Sequence, residues 1–152
     1  MALSLLGVGL LAAACGGTAA TPTTEYHWIT TTALSVNHGL NTDQVTVLDD
    51  SKPSTNEAAG TFFARLGSAC TALKTTAVNA QGAQQPPSAQ LDSAWDAMLQ
   101  ATVNYASDCI TLSRSHSTSD LEQWNSSLKT MDEANGRLNT VVDKIRSAVK
   151  KK

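Results

Sequence analysis

Cys15 is the residue whose type and position point most directly to a chemical event. Residues 2–14, which precede it, carry no charged side chain and end in Ala12, Ala13 and Ala14, while Gly16 follows the cysteine. An apolar stretch of this length is too short to span a bilayer and is typical of a signal-peptide core that ends in small residues. A signal peptidase requires small side chains beside the bond that it cuts. The alternative is a buried N-terminal helix in which the cysteine is incidental.

The sequence Leu-Ala-Ala-Ala-Cys that ends at Cys15 resembles the lipobox of bacterial prolipoproteins. This resemblance implies cleavage before Cys15 and a diacylglycerol, with acyl chains such as palmitate, linked to its sulfur. It also implies that the mature protein is anchored on the extracytoplasmic face of a cell membrane. Three features depart from the pattern: neither Lys nor Arg precedes Cys15, the apolar run is short, and Ala12 stands where Leu is commoner. A conventionally cleaved, secreted protein is the second exported alternative.

The sequence accordingly divides into three parts. Residues 1–14 are predicted to be a lipoprotein signal peptide, and residues 15–24 the lipidated cysteine with a flexible tether, because this segment is small and polar without apolar periodicity. Residues 25–152 are predicted to form one helical domain, since their number suits a single core.

Cys70 and Cys109 are the two cysteines that remain once Cys15 is assigned to the lipid. An even remainder in an exported protein favours a disulfide between them, and two unrelated buried thiols are the alternative. Both fall on apolar helical stripes, although at unequal distances from the intervening Pro-containing loop. A bridge therefore requires this loop to extend along the bundle axis, beyond the end of the first helix, before the second helix begins and runs back antiparallel to the first.

Other chemistry finds little support in the sequence. His27, His38 and His116 lie far apart without a second ligand at metal spacing, and no Gly-x-Ser-x-Gly turn occurs. The carboxylate pairs at 49–50 and 132–133 suit solvated helix faces. A net charge of −2 with 16% charged residues argues against nucleic-acid binding. We expect no metal, no cofactor and no enzymatic activity.

Polar residues on otherwise apolar stripes are the one hint of a site. Asp43, Thr102 and Asn135 are expected to face inward, where they either fix the helix register or line a polar pocket for a small ligand. The aromatic segment Tyr26-His27-Trp28 just after the tether is either an exposed contact, such as a membrane-interface anchor, or a lid over one end of the domain.

Apolar residues at steps of three and four predict the helices that must position these groups. Three stripes are regular, and they comprise Ala59, Phe63, Leu66, Cys70, Leu73 and Ala77; Leu91, Trp95, Met98, Thr102, Tyr105, Cys109 and Leu112; and Leu121, Trp124, Leu128, Met131, Asn135, Leu138, Val142, Ile145 and Val149. The segment 25–50 is weaker: a helix is favoured, and a hairpin around Asn37-His38-Gly39 competes with it. The predicted fold is an all-α antiparallel bundle of three to four helices with one inter-helix disulfide.

The mature part of the chain also resembles small, mostly uncharacterised exported helical proteins of actinobacteria. The resemblance covers about 40 residues, from Cys70 through Gln85-Pro86-Pro87 and Trp95 to Cys109. It implies a helical hairpin with a disulfide and supplies no catalytic residue. The resulting hypothesis is a membrane-anchored, extracytoplasmic interaction module with a protein partner in the cell envelope. A phage- or prophage-encoded protein that excludes superinfection is one specific form of it, and a small-ligand-binding bundle is the alternative.

Overall fold

The computed structural model describes residues 20–151, and every regular element in that range is helical. Helix α1 (Pro22–Trp28), a π-helical turn (Ile29–Ala33) and α2 (Leu34–Asp50) follow one another without a break, and α3 (Ala59–Gln81), α4 (Ala89–Ser115) and α5 (Thr118–Lys150) complete the bundle. Each of α2, α3 and α4 packs on the next helix, and α1 packs on α5. The predicted all-α bundle is confirmed, and the competing hairpin does not occur in residues 20–151.

Helix α1 begins earlier than the sequence pattern indicated. Thr21 is its N-cap, with a side-chain oxygen that accepts a hydrogen bond from the Thr24 backbone N–H at 3.2 Å, and Pro22 occupies the first helical position. Proline is favoured there because its fixed φ suits the helix and its missing N–H would be unpaired anyway. Residues 22–24, which the sequence analysis assigned to the tether, therefore belong to α1.

The disulfide Cys70–Cys109 joins α3 to α4 with a Cα–Cα distance of 6.1 Å. The two helices run antiparallel in a register in which Gln81, at the end of α3, donates a hydrogen bond to the side chain of Gln100 at 3.4 Å. Because Gln100 lies eleven positions after Ala89, where α4 begins, the first three turns of α4 project beyond the end of α3. This axial offset between the end of α3 and the start of α4 is what the unequal spacing of the two cysteines from the loop required.

Helix α1 and the π turn fill the space beside the projecting part of α4. Trp28 is buried, with its ring edge-on to Trp95 at a centroid distance of 5.2 Å, and its indole N–H donates to the Gln84 carbonyl at 3.1 Å. The Ser88 hydroxyl donates to the Glu25 carboxylate close by. Trp28 therefore closes this end of the bundle, as the lid interpretation expects, whereas Tyr26 is 37% exposed.

The π turn at Ile29–Ala33 coincides with the run of threonines. The backbone N–H of Leu34 reaches the carbonyl of Ile29, five residues back, while the Thr30 and Thr31 hydroxyls donate to the His27 carbonyl at 3.1 and 2.8 Å. Such side-chain bonds to preceding carbonyls compete with the regular ladder. One wide turn shifts the helix register by about a residue. The buried face of α2 is therefore rotated about the helix axis relative to the buried face of α1.

Candidate binding groove between α2 and α5

The bundle is open along one side. Helix α2 packs on α3 and α1 packs on α5, whereas the backbones of α2 and α5 scarcely approach each other. Two adjoining hollows line this gap and share Asn37 and Asn139. We call the continuous depression the α2–α5 groove, with an amide end and an apolar end.

The amide end has a volume of about 390 Å³. Five of its lining side chains are carboxamides, and the remainder are Leu40, Met98 and Thr102; the carboxamides are Asn37, Asn41, Gln44, Asn135 and Asn139. Each carboxamide offers two N–H donors and a carbonyl acceptor, and it carries no charge. This end therefore suits a neutral ligand or surface that presents both donors and acceptors.

The apolar end is a smaller cleft of about 150 Å³ under the π turn. Buried Trp28, Ile29 and Leu91 contribute to its walls, and Thr30 and Arg146 stand at its rim. Leu34, which also lines it, is 64% exposed. An apolar group that docked here would contact the Trp28–Trp95 pair without entering the core.

The structure brings together two of the three predicted polar residues. Thr102 on α4 and Asn135 on α5 both line the amide end of the groove. The Thr102 side chain is buried, and its hydroxyl donates to the Met98 carbonyl at 2.9 Å. Asn135 is half-buried, so its carboxamide is the deeper of the two α5 amides in the groove.

Asp43 lies apart from this groove. Its Oδ2 accepts a hydrogen bond of 2.6 Å from the Thr76 hydroxyl on α3, in a half-buried position. Such a charge-assisted bond fixes how α2 sits on α3, which is the register role that the sequence allowed for inward polar residues. Cys15, the predicted lipidation site, lies outside the described residues.

Sequence reasoning missed four carboxamides of the groove. Asn37, Asn41 and Gln44 follow one another at steps of four and three on α2, and Asn139 lies four residues after Asn135 on α5. This spacing places each set on one helix face. The signal was thus present in the sequence, but exposed amides are common, and only the facing of α2 and α5 distinguishes these.

The end of the bundle away from α1 is held by a charged cluster. Arg65 on α3 pairs with Asp50, the last residue of α2, and its Nη2 lies 2.9 Å from Glu57 Oε2 in the loop between these helices. Hydrogen bonds from Arg65 and from Ser54 lower the pKa of Glu57 to about 2. The hydrogen bonds of Arg65 to Glu57 and Asp50 raise the pKa of the guanidinium. The cluster ties down the α2–α3 loop and lies outside the groove.

A stacked aromatic pair occupies the α4–α5 contact. The rings of Tyr105 and Trp124 lie 5.6 Å apart between centroids, and Trp124 packs against the core while staying partly exposed. Burial raises the pKa of the Tyr105 hydroxyl to about 12. Within the described residues, neither this hydroxyl nor the indole N–H of Trp124 makes a hydrogen bond of normal geometry. Both predicted core tryptophans thus serve packing.

The histidines do not meet. His27 and His38 are exposed, and His116 caps α4 in a left-handed conformation with φ of 56° while its ring stacks on Phe63 at 3.9 Å. Within residues 20–151, no three His, Cys, Asp or Glu side chains gather in a metal-binding arrangement. Over the same range, no helix has the length and apolar character needed to cross a membrane.

Comparison of this chain with protein-family models, with curated protein sequences and with solved structures finds no match.

Proposed function

We propose that this protein is a lipid-anchored, extracytoplasmic interaction module of the cell envelope, without catalytic activity, whose binding face is the α2–α5 groove. The observation that carries the proposal is the groove itself, an open side of the bundle lined by five uncharged carboxamides. Carboxamides orient a partner through hydrogen bonds, and side chains of this kind are poor general acids, bases or nucleophiles at neutral pH.

The cysteine pairing supports the exported location. Cys70 and Cys109 form a disulfide, which persists in oxidising compartments and is rare in the cytosol. Their pairing leaves Cys15 as the odd cysteine, directly after an uncharged apolar stretch. A diacylglycerol on this thiol supplies two acyl chains, which is enough for stable anchoring where one chain is marginal.

Intact mass spectrometry tests the anchor. The full chain is expressed in a bacterial host, extracted in detergent and measured with and without a reductant. The expected species begins at Cys15, carries the added mass of a diacylglycerol and gains the mass of two hydrogens on reduction. A Cys15→Ser variant is the matched control, and an unprocessed wild-type chain with free thiols would contradict the proposal.

Site-specific photo-crosslinking tests the groove. A photoreactive amino acid replaces Asn41 inside the groove, and in a control it replaces Glu133, an exposed α5 residue two positions from Asn135 and therefore on nearly the opposite helix face. We expect a discrete crosslinked envelope protein from position 41 only, abolished when Asn135 is replaced by Leu. Equal crosslinking from both positions would show that the groove is not the binding face.

The more specific form of the proposal is exclusion of superinfecting phage. A lipid-anchored bundle can block a receptor or an injection step by occupying it, without chemistry. A challenging phage is then expected to form fewer plaques on cells that express the wild-type chain than on cells that express the Asn135→Leu variant at equal abundance. Equal plaque numbers in both would refute this form and leave the interaction module intact.

A small-ligand-binding bundle is the second candidate function, favoured by the meeting of Thr102 and Asn135 at the amide end of the groove. Native mass spectrometry of protein purified from its host distinguishes the two. A retained small mass that is lost in Thr102→Val and Asn135→Leu would favour the ligand. A bare protein that still crosslinks through position 41 would favour the protein partner.

A further inference from the structure

The carboxamides of the α2–α5 groove have no partner within the described residues. None of the five side chains forms a hydrogen bond over residues 20–151, whereas some amides outside the groove satisfy one another, Gln81 with Gln100 at 3.4 Å and Gln100 with Asn104 at 3.0 Å. Even Asn135, which is half-buried, is unpaired there. The groove therefore presents free N–H donors and free carbonyl acceptors to whatever enters it.

The groove is also nearly free of charge. Among the described residues that line it, Arg146 alone carries a charge, and its guanidinium pairs with Asp143 at 3.5 Å. A charged group that entered the groove would lose hydration without gaining an opposite charge. A peptide unit matches the lining instead, since it carries one N–H donor, one carbonyl acceptor and no net charge.

The spacing of the carboxamides along the two helices fits an extended chain. Asn37 and Asn41 are four residues apart on α2, and Asn135 and Asn139 are four residues apart on α5, which is a rise of about 6 Å in each helix. In an extended chain, the N–H and C=O groups that point to one edge recur every second residue, at about 6.6 Å. Asn37 and Asn139 each line both hollows, so the two rows begin at the same level and can serve the two edges of one chain.

The apolar end offers a place for one side chain of such a segment. This cleft has a volume of about 150 Å³, and an apolar cavity of that size accommodates a ring as large as benzene. One leucine or phenylalanine side chain therefore fits. From Asn37 to Gln44, helix α2 rises by about 10 Å, which an extended chain covers in about three residues.

The apolar surfaces of the groove favour a peptide over a glycan. Leu40, Met98 and Thr102 are buried beneath the amide end, where they would meet every second side chain of an extended segment. A sugar ring packs its C–H face on an open aromatic surface. The rings of Trp28 and Trp95 are only 5% and 3% exposed, and they pack on each other.

We propose that the α2–α5 groove binds an extended, uncharged peptide segment through its main chain, with one apolar side chain in the cleft beside Trp28. This assignment rests on the function proposed above, because it gives the chemistry of the partner that the groove would hold. Recognition of this kind tolerates many sequences, since the carboxamides bond to groups that every residue except proline carries in full.

The probe is the peptide acetyl-Ser-Ala-Ser-Leu-Ser-Ala-Ser-amide, in which small residues on both sides of the central leucine allow either chain direction. It is titrated into the isotopically labelled full chain with Cys15→Ser and the disulfide formed, and NMR follows the side-chain NH₂ signals. We expect the signals of Asn37, Asn41, Asn135 and Asn139 to shift together. An analogue with lactic acid in place of both alanines keeps every side chain but loses main-chain N–H donors, so it should bind about 5-fold more weakly.

Single substitutions test the protein side of the contact. Asn41→Leu and Asn139→Leu each remove one carboxamide from one row at nearly constant side-chain size, and each should weaken probe binding about 5-fold. The missing signals in these variants also assign the two NH₂ groups. Asn79→Leu is the matched control, because Asn79 is an exposed amide on α3, a helix that lines neither hollow, and it should leave the affinity unchanged.

Three results would each overturn the assignment: equal affinity for the lactic-acid analogue, unchanged affinity in both groove variants, or groove signals that stay in place at millimolar peptide. A shift of these signals by N-acetylchitotetraose instead of the peptide would assign the groove to a glycan and would overturn it as well. The envelope partner is decided separately by the crosslink from position 41. A crosslink without peptide binding would mean that a folded surface docks in the groove, and it would leave the proposed function intact.

Discussion

Replacing Gly67 by Ala should destabilise the protein, although the same change elsewhere in a helix stabilises one. A Cβ on Gly67 would lie 2.6 Å from Ser113 Oγ and 3.1 Å from Ser113 Cβ, because α3 and α4 approach closely one turn from the disulfide. Ser113 Oγ also donates to the Ile110 carbonyl at 2.8 Å, and rotation away from the new methyl group would break this bond.

The magnitude follows from opposing contributions. Overpacking costs about 1–3 kcal/mol, and loss of the Ser113 hydrogen bond adds about 1 kcal/mol. Replacement of a helical Gly by Ala contributes about 1 kcal/mol in the stabilising direction. The net expectation is a loss of about 1–3 kcal/mol in the free energy of unfolding. Gly136→Ala in α5 is the matched control, since nothing lies within 4 Å of its new Cβ, and it should gain about 1 kcal/mol.

Urea denaturation of the oxidised protein, followed by circular dichroism, measures both changes. A double-mutant cycle with Ser113→Gly isolates the contact, because glycine removes both of the crowding atoms. We expect Gly67→Ala to become markedly less harmful in that background. If Gly67→Ala stabilises as much as Gly136→Ala, or if the cycle shows no coupling, the close approach of α3 and α4 described above is wrong.

Three further predictions concern stability. Replacing Cys70 and Cys109 by Ala together opens a cross-link across 39 residues, which should cost about 4 kcal/mol of unfolding free energy by the chain-entropy relation; an unchanged urea midpoint would contradict this. The pKa of Glu57 is lowered from 4.5 to about 2, chiefly by Arg65. The contribution of this carboxylate to stability is therefore complete above pH 4.5 and is lost as the pH falls towards 2. Glu57→Gln should flatten the acid limb of the pH–stability curve, and an acid limb identical to that of the wild type would refute the assignment. The pKa of Tyr105 is raised from 10 to about 12 by burial. The neutral hydroxyl therefore stabilises the fold below pH 10, and this contribution is lost as the pH rises through 12. An ultraviolet titration should show one tyrosine that ionises only near pH 12, and Tyr105→Phe should remove that transition.

The helices were predictable because their signals are local. Periodic apolar residues and capping side chains act within a few turns, so Ser88 and Ser117 cap α4 and α5 as their positions suggest. The segment 25–50 was harder, because its threonines and Gly39 weaken a helix on their own. Burial of Trp28, Leu40 and Val47 against the other helices overrides those local preferences.

The candidate site was only half predictable. Thr102 and Asn135 share the groove, and Asp43 is instead bound to Thr76 on α3. A stripe position indicates that a side chain faces other helices, but it does not say which helix it meets. Asn37 and Asn139 had no stripe position to draw attention to them, and they matter only because α2 and α5 stand apart.

The amino-acid sequence by itself indicated the all-α class, the approximate helix spans and the pairing of Cys70 with Cys109. Periodicity, caps and the two cysteines that remain when Cys15 is assigned to the lipid are all readable along the chain. Only the tertiary structure decided the axial offset of α3 against α4 and the opening between α2 and α5. The physical reason is that an apolar stripe specifies which face of a helix is buried, but not the axial position of that helix relative to its neighbours. The axial position is set by close contacts between residues far apart in sequence, above all Trp28 on Trp95 and Gly67 on Ser113.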